Sequence, residues 1–172
     1  IELEPYQALI KSVIFQQLRP ASATVIFSRF TQNFDNNFPT DEKILASPES
    51  KLKESGLSLN KRKTIIEIAR YVQKGKLENR QGFLMMNDIQ IIEKLTKIKG
   101  IGEWTAQMLM IFNLGKLDVF PVGDFALRKN YSLFKSIPSP ITMEELSKIS
   151  EEWKPFRSIA AWYLWRYKNI IT

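Results

Sequence analysis

The run "LTKIKGIGEWTAQMLMIF", residues 95–112, constrains this chain more than any other stretch. Apolar residues recur at helical spacing on both sides of "GIG", where Gly100 and Gly102 flank a single isoleucine. A glycine inside a helix costs about 1 kcal/mol relative to alanine, so two of them so close mark a turn. The pattern fits two helices joined by a tight hairpin; it also fits a plain αα-corner, which favours glycine as well. In the hairpin reading the glycines clear the backbone N–H groups at the start of the second helix. Those groups and the helix dipole suit a phosphate.

The rest of the chain is punctuated as helices. Pro5 and Pro20 stand where first helical positions are expected, ahead of "YQALIKSVIFQQL" and "ASATVIFSRF". Thr40 is a fitting N-cap for "DEKILA", and Ser47–Pro48 opens a short helix that Gly56 ends. In "KRKTIIEIARYVQKG" the residues Ile65, Ile68, Ala69 and Val72 form an i, i+3, i+4, i+7 stripe closed by Gly75. "NDIQIIEKLTKI" leads into the hairpin, and Thr142 with Glu145 spells a capping box. "KPFRSIAAWYLWRY" reads as a last helix with Pro155 in its first turn. No sustained alternation suggests a strand, so the expected fold class is all-α. The segments 76–87 and 113–123 are expected to be the substantial non-helical connectors.

Composition narrows the chemistry. With 172 residues and 44% hydrophobic content, the chain can form one compact domain or two small lobes sharing a core. A net charge of +7 points to a polyanionic partner, either nucleic acid or an anionic membrane surface. No apolar run approaches the roughly 20 residues of a spanning helix, and no membrane partner is expected. The absence of cysteine and histidine excludes disulfides, thiolate nucleophiles and the usual ligands of zinc and iron–sulfur clusters. It also removes the commonest general base, leaving Asp, Glu, Lys, Tyr and the hydroxyls. No signal peptide is visible, and an intracellular location is expected.

Downstream of the hairpin, "LDVFPVGDFALRKNY" places Asp124 at the mouth of a further helix. With these residues in view, the chain resembles the helix–hairpin–helix DNA glycosylase superfamily, and within it the DNA-3-methyladenine glycosylase II branch of alkylation repair. Four segments carry the likeness: "IFQQLRPASA", "GLSLNKRKTIIEIA", "IKGIGEWTAQM" through "DVFPVGDFALRK", and "EEWKPFRSIAAWYLW". The resemblance implies two helical lobes with a DNA groove between them. Residues 1–35 plus 125–172 would form a terminal lobe, and 36–124 a central lobe holding the hairpin at 95–113. It further implies a monomer acting on damaged double-stranded DNA. Two other readings are an oxidised-base glycosylase of the same superfamily and a non-catalytic DNA-binding module with the same hairpin.

Residue roles follow from the resemblance. Cleavage of an N-glycosidic bond develops oxocarbenium character, which a carboxylate stabilises. Asp124 is the implied catalytic group, orienting or deprotonating water; its plainer reading is a helix N-cap. Trp104 stands where strand-cleaving members carry a Schiff-base lysine, and an indole cannot attack a sugar carbon. A monofunctional, cofactor-free hydrolase is implied. Trp104 and Trp165 would offer electron-rich faces to a cationic alkylpurine. Met108, one turn past Trp104, sits in the same implied base pocket, where related enzymes can carry an aromatic.

Leu18, with Gln17 beside it, is the implied wedge that fills the gap left by an extruded base; an ordinary buried leucine is the alternative. DNA contacts fall to Lys99, Gly100, Gly102, Thr105 and Arg19. The Lys61–Lys63 run fits either DNA contact or a solvated helix start. Trp153 and Trp162 read as core. The family hairpin also implies a structural Na+ or K+ on the main-chain carbonyls of Thr96, Ile98 and Gly100.

Overall fold

The computed structural model describes the backbone of residues 3–170 and the side chains of residues 3–167. It is all-α, as expected, with no strand among the described residues. In chain order the helices are α1 (Pro5–Phe15), α2 (Pro20–Gln32), α3 (Asp41–Ala46), α4 (Glu49–Glu54), α5 (Leu59–Gln73) and α6 (Arg80–Leu84). They continue with α7 (Asp88–Thr96), α8 (Glu103–Phe112), α9 (Phe125–Phe134), α10 (Met143–Ser150) and α11 (Arg157–Ile170), a 3₁₀ turn at Glu151–Trp153 preceding the last.

Local chemistry sets most of these boundaries. Pro5 and Pro20 are first helical residues, whose missing N–H is no loss there. The Thr40, Ser58, Asn87 and Thr142 side chains each accept a hydrogen bond from the N3 backbone N–H. The Thr142–Glu145 box is complete in both directions.

Two expectations need correction. The 76–87 connector contains α6, whose Asn79 cap accepts from the Gly82 N–H at 2.8 Å and whose Phe83 is fully buried. Five residues are too few for a periodic signal, which is why the sequence pattern concealed it. Pro155 lies ahead of the last helix rather than in its first turn: α11 opens at Arg157, after a cis Lys154–Pro155 bond.

The chain divides into two compact units, residues 1–109 and 110–172. This differs from the expected division, because α1 packs on α2 and α5 and so groups residues 1–35 with the middle of the chain. In the first unit α5 lies against α1, α3 and α4, with Ile65, Ile68 and Ala69 fully enclosed. The second unit is built on the packing of α9 and α11. Its core gathers Phe120, Leu127, Tyr131, Leu146, Ala161 and Leu164, with Trp153 and Trp165 packed against it. No helix among the described residues is long and apolar enough to cross a membrane.

Candidate functional site

In the first unit, the α1–α2 turn carries the implied wedge. Gln17 adopts φ +54°, a left-handed conformation that costs a non-glycine residue about 1 kcal/mol. Leu18 follows it and is 37% exposed, so the buried-leucine reading is set aside. The turn is tethered on both sides: Gln16 Nε2 donates to Thr105 Oγ1 at 2.7 Å, and Lys61 Nζ donates to the Ile14 and Gln16 carbonyls, both at 2.8 Å. Lys61 therefore answers to neither sequence reading of the 61–63 run. Its half-buried ammonium is spent on main-chain oxygens, and burial lowers its pKa from the ordinary lysine value. A cleft of about 760 Å³ opens beside this turn, lined among others by Gln17, Lys61, Lys63, Arg70, Lys99 and Gly100. Arg19, the N-cap residue of α2, is exposed.

The hairpin joins α7 to α8. Gly100 sits at φ +95°, and a Cβ placed there would lie 2.0 Å from Thr64 Oγ1 and 2.9 Å from Thr64 Cβ. Glycine is needed twice over, for the turn and for the approach to α5. Gly102 is different: nothing lies within 4 Å of a Cβ built there, and its carbonyl accepts the Ala106 N–H that opens α8. Thr105 differs from the expected DNA contact, since its side chain is 2% exposed and its hydroxyl holds Gln16. Lys99 is exposed beside the turn. On α8, Trp104 is 38% exposed, whereas Met108 is 7% exposed and packs inward.

Among the described residues no cluster of three or more His, Cys, Asp or Glu could hold a metal ion. The implied cation would instead need the neutral oxygens of Thr96, Ile98 and Gly100. The Ile98 carbonyl accepts the Ile101 N–H at 3.0 Å, which uses one of its two lone pairs.

In the second unit, Asp124 is the N-cap of α9. Its Oδ1 accepts from the Ala126 N–H at 2.7 Å and the Leu127 N–H at 3.1 Å. The cap reading is therefore met: one carboxylate oxygen fixes the side chain at the start of α9. The connector that delivers Asp124 is itself pinned to the start of α11. Ser158 Oγ donates to the Lys116 carbonyl at 2.7 Å and accepts the Val119 N–H at 2.9 Å. Arg157 grips Asp118 with a two-pronged fork, Nε to Oδ1 at 2.7 Å and Nη2 to Oδ2 at 3.0 Å.

That fork, with the guanidinium charge, holds Asp118 below its ordinary carboxylate value against the opposing pull of burial. A carboxyl depressed in the folded state stabilises above its unfolded pKa and loses that contribution as pH falls through the folded one. Wild type and Asp118→Asn are accordingly expected to differ by on the order of 1 kcal/mol at neutral pH. The gap between their thermal-melting profiles should begin to close as pH falls through about 4, the unfolded value, and vanish only below the lowered folded one; a gap that does not narrow at acid pH would point to packing instead.

The aromatics of this unit sort into two groups. Trp165 is half-buried and stacks on Phe112, ring centroids 5.7 Å apart and tilted by 32°. Phe112 escaped the sequence reading, although it falls four residues after Met108, the spacing of one helix face. Trp153 packs against Phe120 and Tyr131 as core. Trp162 does not: it is 37% exposed, with the Arg166 guanidinium 3.8 Å from its ring centre.

The HhH-GPD superfamily of base excision DNA repair proteins matches residues 10–156. DNA-3-methyladenine glycosylase 1 of Schizosaccharomyces pombe is 38% identical over 168 residues, spanning 97% of this chain and 74% of the relative. Alkylbase DNA glycosidase-like protein mag2 of the same organism is 35% identical over 171 residues, spanning 98% of this chain and 80% of the relative. Among solved structures, S. pombe 3-methyladenine DNA glycosylase (Mag1) in complex with abasic DNA superimposes with a TM-score of 0.89 at 38% identity, covering 95% of this chain and 80% of the other. With a family match across most of its length and relatives at this identity, the chain belongs to the HhH-GPD superfamily of base excision DNA repair proteins.

Proposed function

We propose that this chain is a monofunctional alkylpurine DNA glycosylase, taking a damaged purine out of duplex DNA and hydrolysing its N-glycosidic bond. The observation that carries the reading is Asp124, a carboxylate fixed by two backbone N–H groups at the mouth of α9, in a chain similar to named 3-methyladenine glycosylases. Its charge would stabilise the oxocarbenium-like sugar and orient the attacking water. Trp104 supports hydrolysis without strand cleavage, because no amine stands there to attack the sugar. Of the residues implied for the damaged base, Trp104 offers an exposed face on α8, Met108 is buried on the same helix, and Trp165 is half-buried on α11.

Leu18 would enter the gap in the stack with Gln17 beside it. Arg19, Lys99 and the backbone N–H groups around Gly100 and Gly102 would take phosphates. The chemistry needs no cofactor. A Na+ or K+ on the Thr96, Ile98 and Gly100 carbonyls would serve only to stiffen the hairpin, and the protein would work as a monomer inside the cell.

Incubation with methylated duplex DNA tests the reading. Released methylpurines are expected, with strand breaks appearing only after alkali and no adduct trapped by borohydride. Strand breaks without alkali, or a trapped adduct, would favour a lyase of the same superfamily. No released base, from a folded protein that binds DNA, would leave a binding module.

A further inference from the structure

The last turn of α1 ends in carbonyls that have no partner within the helix. The Ile14 carbonyl of that turn and the carbonyl of the C-cap residue Gln16 take hydrogen bonds from the Lys61 ammonium. The next residue, Gln17, is held at φ +54°, and Leu18 projects from it, more than a third exposed. Besides the Gln16–Thr105 bond at 2.7 Å, which holds the side chain before the turn, the Leu18 N–H reaches the Phe15 carbonyl only at 3.4 Å. The turn contains no glycine to accept a left-handed φ. A strained, solvent-facing turn of this kind needs an external tether to keep one conformation. Lys61 reaches it from the first turn of α5, a helix whose inner face is fully buried.

We propose that Lys61 is a positioning residue for base extrusion: its ammonium clamps the end of α1 so that the turn presents Leu18 in the conformation that enters the base stack. The proposal rests on the reading of Leu18 as the wedge. Lys61 is thereby separated from its neighbours in the basic run. Lys63 faces solvent, and Arg62 is occupied with Glu49 and the Leu57 carbonyl, at 3.1 and 2.8 Å. Lys61 acts on DNA through the protein backbone.

The test uses the full chain and a duplex with a tetrahydrofuran abasic analogue beside 2-aminopurine, whose fluorescence reports unstacking. Wild type, Leu18→Ala, Lys61→Met, Lys61→Arg and the Leu18→Ala/Lys61→Met double variant are compared at saturating protein, after melting curves establish that each is folded. Lys61→Met keeps the stem and removes the donors. It is expected to reduce the fluorescence change to the level of Leu18→Ala, while the double variant shows no further loss, since two changes in one device are not additive. Lys61→Arg should restore most of the signal.

A full wild-type signal from Lys61→Met would overturn the clamp, as would losses that simply add in the double variant. If Lys61→Met fails to fold, Lys61→Gln, uncharged and too short to bridge both carbonyls, takes its place on the same duplex: a full wild-type signal from it overturns the clamp, and a loss to the level of Leu18→Ala supports it. A wild-type signal from Leu18→Ala would remove the wedge, and the clamp with it. Base release from methylated DNA, measured separately, tells that failure apart from a failure of the glycosylase reading.

Discussion

Asp124→Asn is expected to lower base release by about 10²–10³-fold, with fold and DNA binding unchanged. The substitution is informative because the two roles of this side chain can be separated. Asparagine caps helices about as well as aspartate, and its amide oxygen can accept the same Ala126 and Leu127 N–H groups that Oδ1 accepts now. What disappears is the negative charge. If the carboxylate stabilises positive charge developing on the sugar, the loss falls on the chemical step and should appear in single-turnover release at saturating enzyme. Asp124→Ala is the contrasting variant. It removes charge and cap together, and should cost about 1 kcal/mol of stability in addition to activity. Should Asp124→Asn release methylpurines within about tenfold of wild type, the catalytic assignment of Asp124 fails, because a single donor or charge aimed at a transition state is worth more than that.

Gly100→Ala is expected to destabilise the first unit by about 3 kcal/mol or more, combining backbone strain with overpacking. At φ +95° an alanine Cβ is strained regardless of space. Here it would also meet Thr64 at 2.0 Å from Oγ1 and 2.9 Å from both Cβ and Cγ2. Thr64 is buried on a packed helix, its hydroxyl donating to the Asn60 carbonyl at 3.0 Å. Trimming it with Thr64→Ala should restore only part of the loss, since its own Cβ remains in the way. Urea denaturation of the three variants is the measurement. Gly102→Ala is the control: a Cβ there meets nothing within 4 Å and Gly102 has no left-handed φ, so a change under about 1 kcal/mol is expected. Equal effects at Gly100 and Gly102 would mean that the hairpin does not pack on α5 as described.

The two glycines show what the sequence could and could not reveal. Their presence marked the turn, yet both entered the reading with the same role, and only the neighbourhood of Thr64 separates them. The helices were legible wherever a cap or a proline announced them, as at Pro5, Thr40 and Thr142, or wherever the apolar stripe was long, as in α5. Helix α6 was not, because a five-residue helix leaves no period to read. Asp124, Leu18 and Trp104 are candidates through short motifs whose order along the chain carries the likeness.

The residues that hold them in place were missed for a common reason. Gln16 reaches Thr105 across 89 positions, Lys61 reaches back 47 to Ile14, and Ser158 reaches back 42 to Lys116. Contacts of that separation have no local signature. The unit boundary failed on the same ground, since the grouping of α1 with α5 is decided by packing between distant segments. Trp162 failed for a different reason, as an indole in an apolar helix looks the same whether it faces the core or an arginine.

Helix α5 works as a ruler. Two of its residues, Lys61 and Thr64, touch the α1–α2 turn and the hairpin respectively. They are one short step apart on a rod that rises about 1.5 Å and turns about 100° per residue. The offset between a left-handed turn at Gln17 and a left-handed turn at Gly100 is therefore written in three residues of helix. The offset depends on how many residues separate the anchors, not on which residues they are. A single residue gained or lost between Lys61 and Thr64 cannot be absorbed, because it would swing one anchor a quarter-turn away from its partner. Length, more than composition, is what this stretch of the chain has to preserve.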